Sequence, residues 1–158
     1  MRNNKTEIGV LIENALDELY KEEFSSLICT ISENHVSERA CVFRFGIYFQ
    51  RELDKHREFD GYYVDCEYNR SCGVSKRNKE GDLIVPDIIL HKRGDNDNNL
   101  VVIEFKGWWN NNIQKDIVKI KEMIDPNGEY KYKEGYSIVF NKKRIGNDRY
   151  SILKVHDI

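Results

Sequence analysis

Two β-rich runs, Leu83–His91 and Leu100–Phe105, are separated by Lys92 to Asn99, a segment of Gly, Asp and Asn that favours tight turns. These features predict a hairpin, and a register that pairs Asp87 with Glu104 is consistent with the loop. Setting Asp87 opposite Glu104 centres the turn between Asp95 and Asn96, in the middle of that loop. Because strand side chains alternate, Glu104 and Lys106 then project from one face and Phe105 from the other, apolar side. Pro86 suits a strand start or a strand distortion, which puts Asp87 beside the same face. Two carboxylates and one ammonium thereby come to share a small space.

The flanking segments supply the other elements. From Glu7 to Leu27, Ile8, Ile12, Ala15, Leu16, Leu19 and Phe24 recur at helical spacing. A second helix is expected from Ser32 or Ser37 to about Lys55, with Val36, Ala40, Phe43 and Ile47 as its buried stripe. After the Asp60-Gly61 turn the period changes to two. Tyr62, Val64, Cys66 and Tyr68 fall on one face of a strand ending near Arg70, and Tyr63, Asp65, Glu67 and Asn69 on the other. A polar loop, Ser71–Asp82, leads into the hairpin. Beyond it, Ile113, Ile117, Ile120 and Ile124 mark a helix that ends at Pro126 and Gly128, and Tyr136–Asn141 and Tyr150–Val155 read as closing strands. With 158 residues, 40% hydrophobic and 33% charged, the chain is expected to be one α/β domain over residues 1–158, with N-terminal helices at 5–55. Its sheet is expected to be mixed and flanked by helices.

No signal-peptide pattern opens the sequence and no apolar stretch approaches ~20 residues, so a cytoplasmic chain without membrane contact is expected. The four cysteines, Cys29, Cys41, Cys66 and Cys72, form no CxxC pair and read as reduced, mostly buried thiols. The formal charge of -2 lacks the basic footprint usual in nucleic-acid binders. Acidic residues concentrated at a metal site would reconcile this charge with a basic surrounding cleft. Lys76, Arg77 and Lys79, then Lys92 and Arg93, then Lys142, Lys143 and Arg144 are the clusters available to line it, or to be solvated surface.

Carboxylates packed together need protonation or a cation, and hard oxygen ligands suit Mg²⁺. A partly hydrated metal activates water and stabilises a phosphoryl-transfer transition state. Lys106 can orient that water, take its proton or offset phosphate charge. The plainer alternative is that Glu104 and Lys106 form a same-face salt bridge on a solvated edge.

The segment Pro86-Asp87, sixteen residues, then Glu104-Phe105-Lys106 resembles the P-D…(D/E)-x-K signature of the restriction-endonuclease-like nuclease superfamily. The order of helix, strand, signature hairpin, helix and strand over roughly residues 33–141 is similar too. The resemblance implies a restriction-endonuclease-like fold and a Mg²⁺-dependent deoxyribonuclease, with Mn²⁺ able to substitute. It implies Asp87, Glu104 and the Phe105 carbonyl as metal ligands and Lys106 as the residue that assists the attacking water. The acidic helical residue of the pattern matches Glu38, which either completes the metal shell or is a favourable charge in a first helical turn. Glu67 faces the site or is simply exposed, and nearby Arg70 has a group suited to a phosphate backbone. Some exonuclease members carry a Gln where Gln114 stands, followed four residues later by Tyr; here that position is Val118, so Gln114 carries over only weakly.

Trp108 and Trp109 stack on bases, or serve as core or as a partner interface. His91 is either a functional group or a satisfied strand-end histidine, and no partner is apparent for His35, His56 or His156. DNA is the expected substrate, and cutting both strands favours a homodimer with contacts near Trp108 or Phe49. A catalytically silent scaffold that binds nucleic acid or a protein is the competing class. A small-molecule enzyme is a third, without a Walker or dinucleotide glycine loop to support it.

Overall fold

In the computed structural model, which describes residues 6–30, 35, 37–110 and 112–156, helices and strands separate into two units, Met1–Asp60 and Gly61–Ile158. Helix α1 (Glu7–Glu23) starts at Thr6, whose hydroxyl accepts from the Gly9 N–H at 3.2 Å and satisfies a donor of the first turn. Its apolar stripe buries Ile12, Ala15, Leu16 and Leu19 as the spacing predicts, adds Leu11, and leaves Ile8 and Phe24 half-buried; the helix widens into a π-turn at Phe24–Ile28. Helix α2 (Glu38–Leu53) follows Ser37 and packs on α1. Glu23 pins the pair, accepting from Arg44 Nε at 2.7 Å and from the Tyr48 hydroxyl at 2.9 Å. Ser32 and Val36 lie outside the described residues.

The buried stripe of α2 differs from the expected one. Val42, Phe45, Phe49 and Leu53 face inward, whereas Phe43 is 57% exposed and Ala40 and Ile47 are half-buried. Phe43 stands about 200° round the helix from Phe45, so the two cannot share one apolar face. The larger aromatic surface of Phe45 and Phe49, stacked at 5.5 Å, wins the interior.

The second unit is a five-stranded mixed sheet. Its strands are β1 (Tyr63–Cys66), β4 (Ile88–His91), β5 (Val101–Gly107), β6 (Glu134–Phe140) and β7 (Tyr150–Val155), in that spatial order. The pairs β1–β4, β4–β5 and β6–β7 are antiparallel; β5 and β6 are parallel, joined through helix α3 (Gln114–Ile124). The hairpin register is Ile88↔Ile103, Ile89↔Val102 and Leu90↔Val101, and one further step sets Asp87 opposite Glu104, as expected. In the loop, one Asp95 carboxylate oxygen accepts from the N–H groups of Asp97 and Asn98, and Gly94 takes φ 98°.

Two expected strands are shorter. β1 stops at Cys66 because Glu67 turns into the left-handed region at φ 50°. The chain then makes a small ribbon, β2 (Arg70–Ser71) with β3 (Val74–Ser75), inside what the sequence presents as strand end and loop. β4 begins only at Ile88, since Pro86 has no N–H for the ladder; upstream, Ile84 N–H donates instead to the Lys76 carbonyl at 2.9 Å.

α3 covers one face of the sheet. Ile120, Met123 and Ile124 pack with Ile89, Val102, Tyr130, Tyr132 and Val155, and a Cβ on Gly135 would overlap Ile120. On the opposite face Phe105 stacks on Phe140 at 5.1 Å. All four cysteines are free; Cys29 and Cys41 are buried, but Cys66 and Cys72 are exposed, which corrects the expectation of mostly buried thiols. Among the described residues, no helix is long and apolar enough to cross a membrane.

Candidate active site

β5 is an inner strand, and its period of two points Val102, Glu104 and Lys106 toward the α3 side. Glu104 is therefore 2% exposed rather than on a solvated edge. One of its oxygens lies 2.6 Å from Lys119 Nζ, while the other, Oε1, has no hydrogen-bond partner among the described residues. Burial, then the nearby charge of Asp87, push the Glu104 carboxyl up to about 8 against the opposing pull of Lys119. A carboxylate so placed is short of positive charge.

Asp87 stands just before β4, and one of its carboxylate oxygens accepts from the Phe105 N–H at 2.7 Å. The N–H and C=O of a strand residue project to the same side, so the Phe105 carbonyl points toward this edge as well. The Asp87 carbonyl accepts from Glu67 N–H at 3.1 Å, which fixes the left-handed turn of Glu67 next to Asp87 while Glu67 itself is exposed. Lys106 Nζ lies 2.9 Å from Asp116 Oδ2, a residue of α3 that is 6% exposed. Among the described residues that oxygen has no aligned hydrogen bond, so the contact is an ion pair. The simple Glu104–Lys106 bridge is thus replaced by two sheet-to-helix pairs, Glu104–Lys119 and Lys106–Asp116.

Asp116 and Lys119 were legible only in part. Asp116 precedes Ile120 by four residues, which places it on the buried stripe of α3, and Lys119 follows three later. That stripe was the available signal.

Glu38 belongs to the first unit, as the first residue of α2. Gln114 is exposed at the start of α3, and the Arg70 guanidinium donates to Ser75 Oγ at 2.6 Å across the β2–β3 ribbon. His91 is a satisfied strand-end residue: its Nε2 lies 2.9 Å from an Asp65 oxygen, and Arg93 binds both oxygens of that carboxylate, at 2.9 and 2.6 Å. Burial pushes the His91 pKa down.

The basic clusters are partly consumed. Lys76 is buried beneath Tyr68, donating to the carbonyls of Tyr68 and Arg70, and burial pulls its pKa down to about 8, so it is not a surface charge. Lys79 pairs with Asp125 and Lys143 with Asp148. Lys142 Nζ sits 5.2 Å from the ring centroid of Trp108, just beyond the ends of the parallel strands β5 and β6. Trp108 and Trp109 meet edge to face at 5.5 Å, both half-buried. In the first unit, ligand-type atoms of Glu7, His56 and Glu58 lie within 4.8 Å of one another, giving His56 partners that the sequence does not reveal.

Comparison with family models, with curated proteins and with solved structures finds no match to this chain.

Proposed function

We propose that the chain is a metal-dependent DNA phosphodiester hydrolase of the restriction-endonuclease-like kind, centred on Asp87, Glu104 and Lys106. The observation that carries this reading is the unpartnered, buried Oε1 of Glu104 beside the like charge of Asp87. A buried carboxylate oxygen that Lys119 leaves unanswered, next to a second carboxylate, suits a hard divalent ion. The residues present fit such an ion: Asp87 and Glu104 would hold it, with the Phe105 carbonyl facing the same edge. Mg²⁺ is the natural occupant and Mn²⁺ a substitute. When bound, such an ion supplies charge for a phosphoryl-transfer transition state and lowers the pKa of bound water.

The chain's own groups divide the remaining work. Lys106, anchored by Asp116, presents an ammonium in the row of Glu104, where it orients water or offsets phosphate charge. Trp108 and Lys142 offer an aromatic face and a cation to the nucleic acid at the same end of the sheet. The element order, with a helix, a strand, the hairpin, α3 and a parallel strand, supports the likeness in fold. Cutting both strands of a duplex calls for two sites, hence a homodimer; Phe49 is fully buried and cannot serve as its contact, which leaves the Trp108 region.

A silent scaffold is the second reading. It is favoured by the two ion pairs, which give Glu104 and Lys106 partners without any metal. Incubation with supercoiled, linear and single-stranded DNA in Mg²⁺ or Mn²⁺, beside EDTA and Asp87→Ala, separates the two. Metal-dependent cleavage lost in the variant is the expected result; equal behaviour of both proteins rejects the hydrolase.

A further inference from the structure

Lys119 holds an unusual place among the lysines of α3. Its ammonium reaches Glu104 Oε2 at 2.6 Å and the Val85 carbonyl at 3.2 Å, so it touches oxygens of β5 and of the segment that leads into β4 at once. A cation between a carboxylate and a carbonyl is the arrangement a metal would take. We propose that Lys119 is an exchangeable counter-ion of this site: it holds the cation position beside Glu104 and leaves it when a divalent ion enters. The inference rests on the metal-centre reading above.

Three features of the geometry carry it. A single ammonium answers one oxygen of Glu104 and leaves Oε1 without a partner among the described residues, so the position is filled but incompletely satisfied. A divalent ion at the same carboxylate would sit within a few ångströms of the ammonium, and the two would repel. Lys119 has a way out: its side chain is 26% exposed, and Val118 next to it is 64% exposed. Lys106 differs in two respects: its side chain is only 17% exposed, and its partner Asp116 is not one of the proposed ligands, so an entering ion would leave that pair intact. Once displaced, Lys119 keeps its charge at the rim, where a substrate phosphate would meet it.

The test is calorimetric titration of Mg²⁺ and Mn²⁺ into the full chain and into Lys119→Met, which keeps the apolar stem. Work at pH 9 minimises proton competition, and Lys115→Met, an exposed position on the same helix, controls for the loss of one charge. The expected result is metal binding at least fivefold tighter in Lys119→Met, less than twofold changed in Lys115→Met and abolished by Asp87→Asn. Should Lys119→Met fail to fold, reductive dimethylation of the unaltered chain, read by peptide mass spectrometry, replaces it: Lys119 is expected to react at least threefold faster with Mg²⁺ than with EDTA. Metal that binds the unaltered chain without tightening in Lys119→Met, or without change in Lys119 labelling where that assay is used, overturns the counter-ion role and leaves the hydrolase reading standing. No metal binding to either protein removes both.

Discussion

Glu104 makes the stability of the chain depend on pH in a direction opposite to most carboxylates. Its carboxyl is raised from an ordinary value of 4.5 to about 8 in the folded chain, first by burial and then by Asp87. Between those values the folded state binds a proton that the unfolded state does not, so this contribution is complete below pH 4.5 and is lost as pH rises toward 8. In EDTA, the urea midpoint of the unaltered chain should therefore fall from pH 5 to pH 8 relative to Glu104→Gln, which cannot titrate. Parallel profiles for the two proteins would show that Glu104 is ionised throughout. Gly107 supplies a second test at this scale. A Cβ there would overlap the Trp109 ring, and the glycine ends the strand that bears the site. Gly107→Ala should destabilise by about 1–3 kcal/mol in urea unfolding, as crowding in a packed setting does; an unchanged midpoint would mean that Trp109 is free to move away.

At the scale of elements, α3 both covers the sheet and carries the partners of the site. Asp116→Asn keeps the shape but gives up the charge that anchors Lys106, so cleavage should slow by ~10- to 100-fold, as for a misplaced catalytic group. The fall should appear in kcat with KM little altered; a change in KM alone would assign Asp116 to substrate binding. The same helix shows what a sequence can and cannot reveal. The hairpin register could be read because turn residues and a period of two constrain each other over one short segment, and the row of Glu104 and Lys106 followed from it. The pairing of that row with Asp116 and Lys119 joins a strand to a helix, and no local pattern encodes such a contact. Strand ends were misplaced for a related reason: alternation continues through Tyr68, yet the backbone turns at Glu67, where the departure is a single φ angle. On α2, Phe43 satisfied the apolar spacing as well as Phe45 did, and only packing against α1 decides between such faces. Lys76 looked like a surface charge because burial of a lysine under Tyr68 and two carbonyls depends on the fold of the β2–β3 ribbon.

For the whole molecule, the two units give metal binding a signature beyond the site itself. The proposed ligands Asp87, Glu104 and the Phe105 carbonyl belong to Gly61–Ile158, so an ion that binds them stabilises that unit by mass action, about 1.4 kcal/mol at a tenfold excess over Kd. If the second unit melts by itself, its Tm should rise by ~5–10 °C while the transition of Met1–Asp60 stays fixed; if the chain melts as one, the single transition should rise by only ~3–6 °C. Scanning calorimetry with Mg²⁺ and with EDTA distinguishes these cases, and Asp87→Asn should show neither shift. The formal charge of -2 sets the matching expectation for DNA. Without metal, Asp87 repels a phosphate, and Lys106 and Lys119 are already engaged with Asp116 and Glu104; with metal the local field becomes positive. DNA affinity measured at fixed ionic strength should therefore rise on replacing EDTA by Ca²⁺, a hard ion that permits binding to be separated from cleavage. A DNA affinity indifferent to Ca²⁺ would place nucleic-acid contact away from the acidic pair and favour the scaffold.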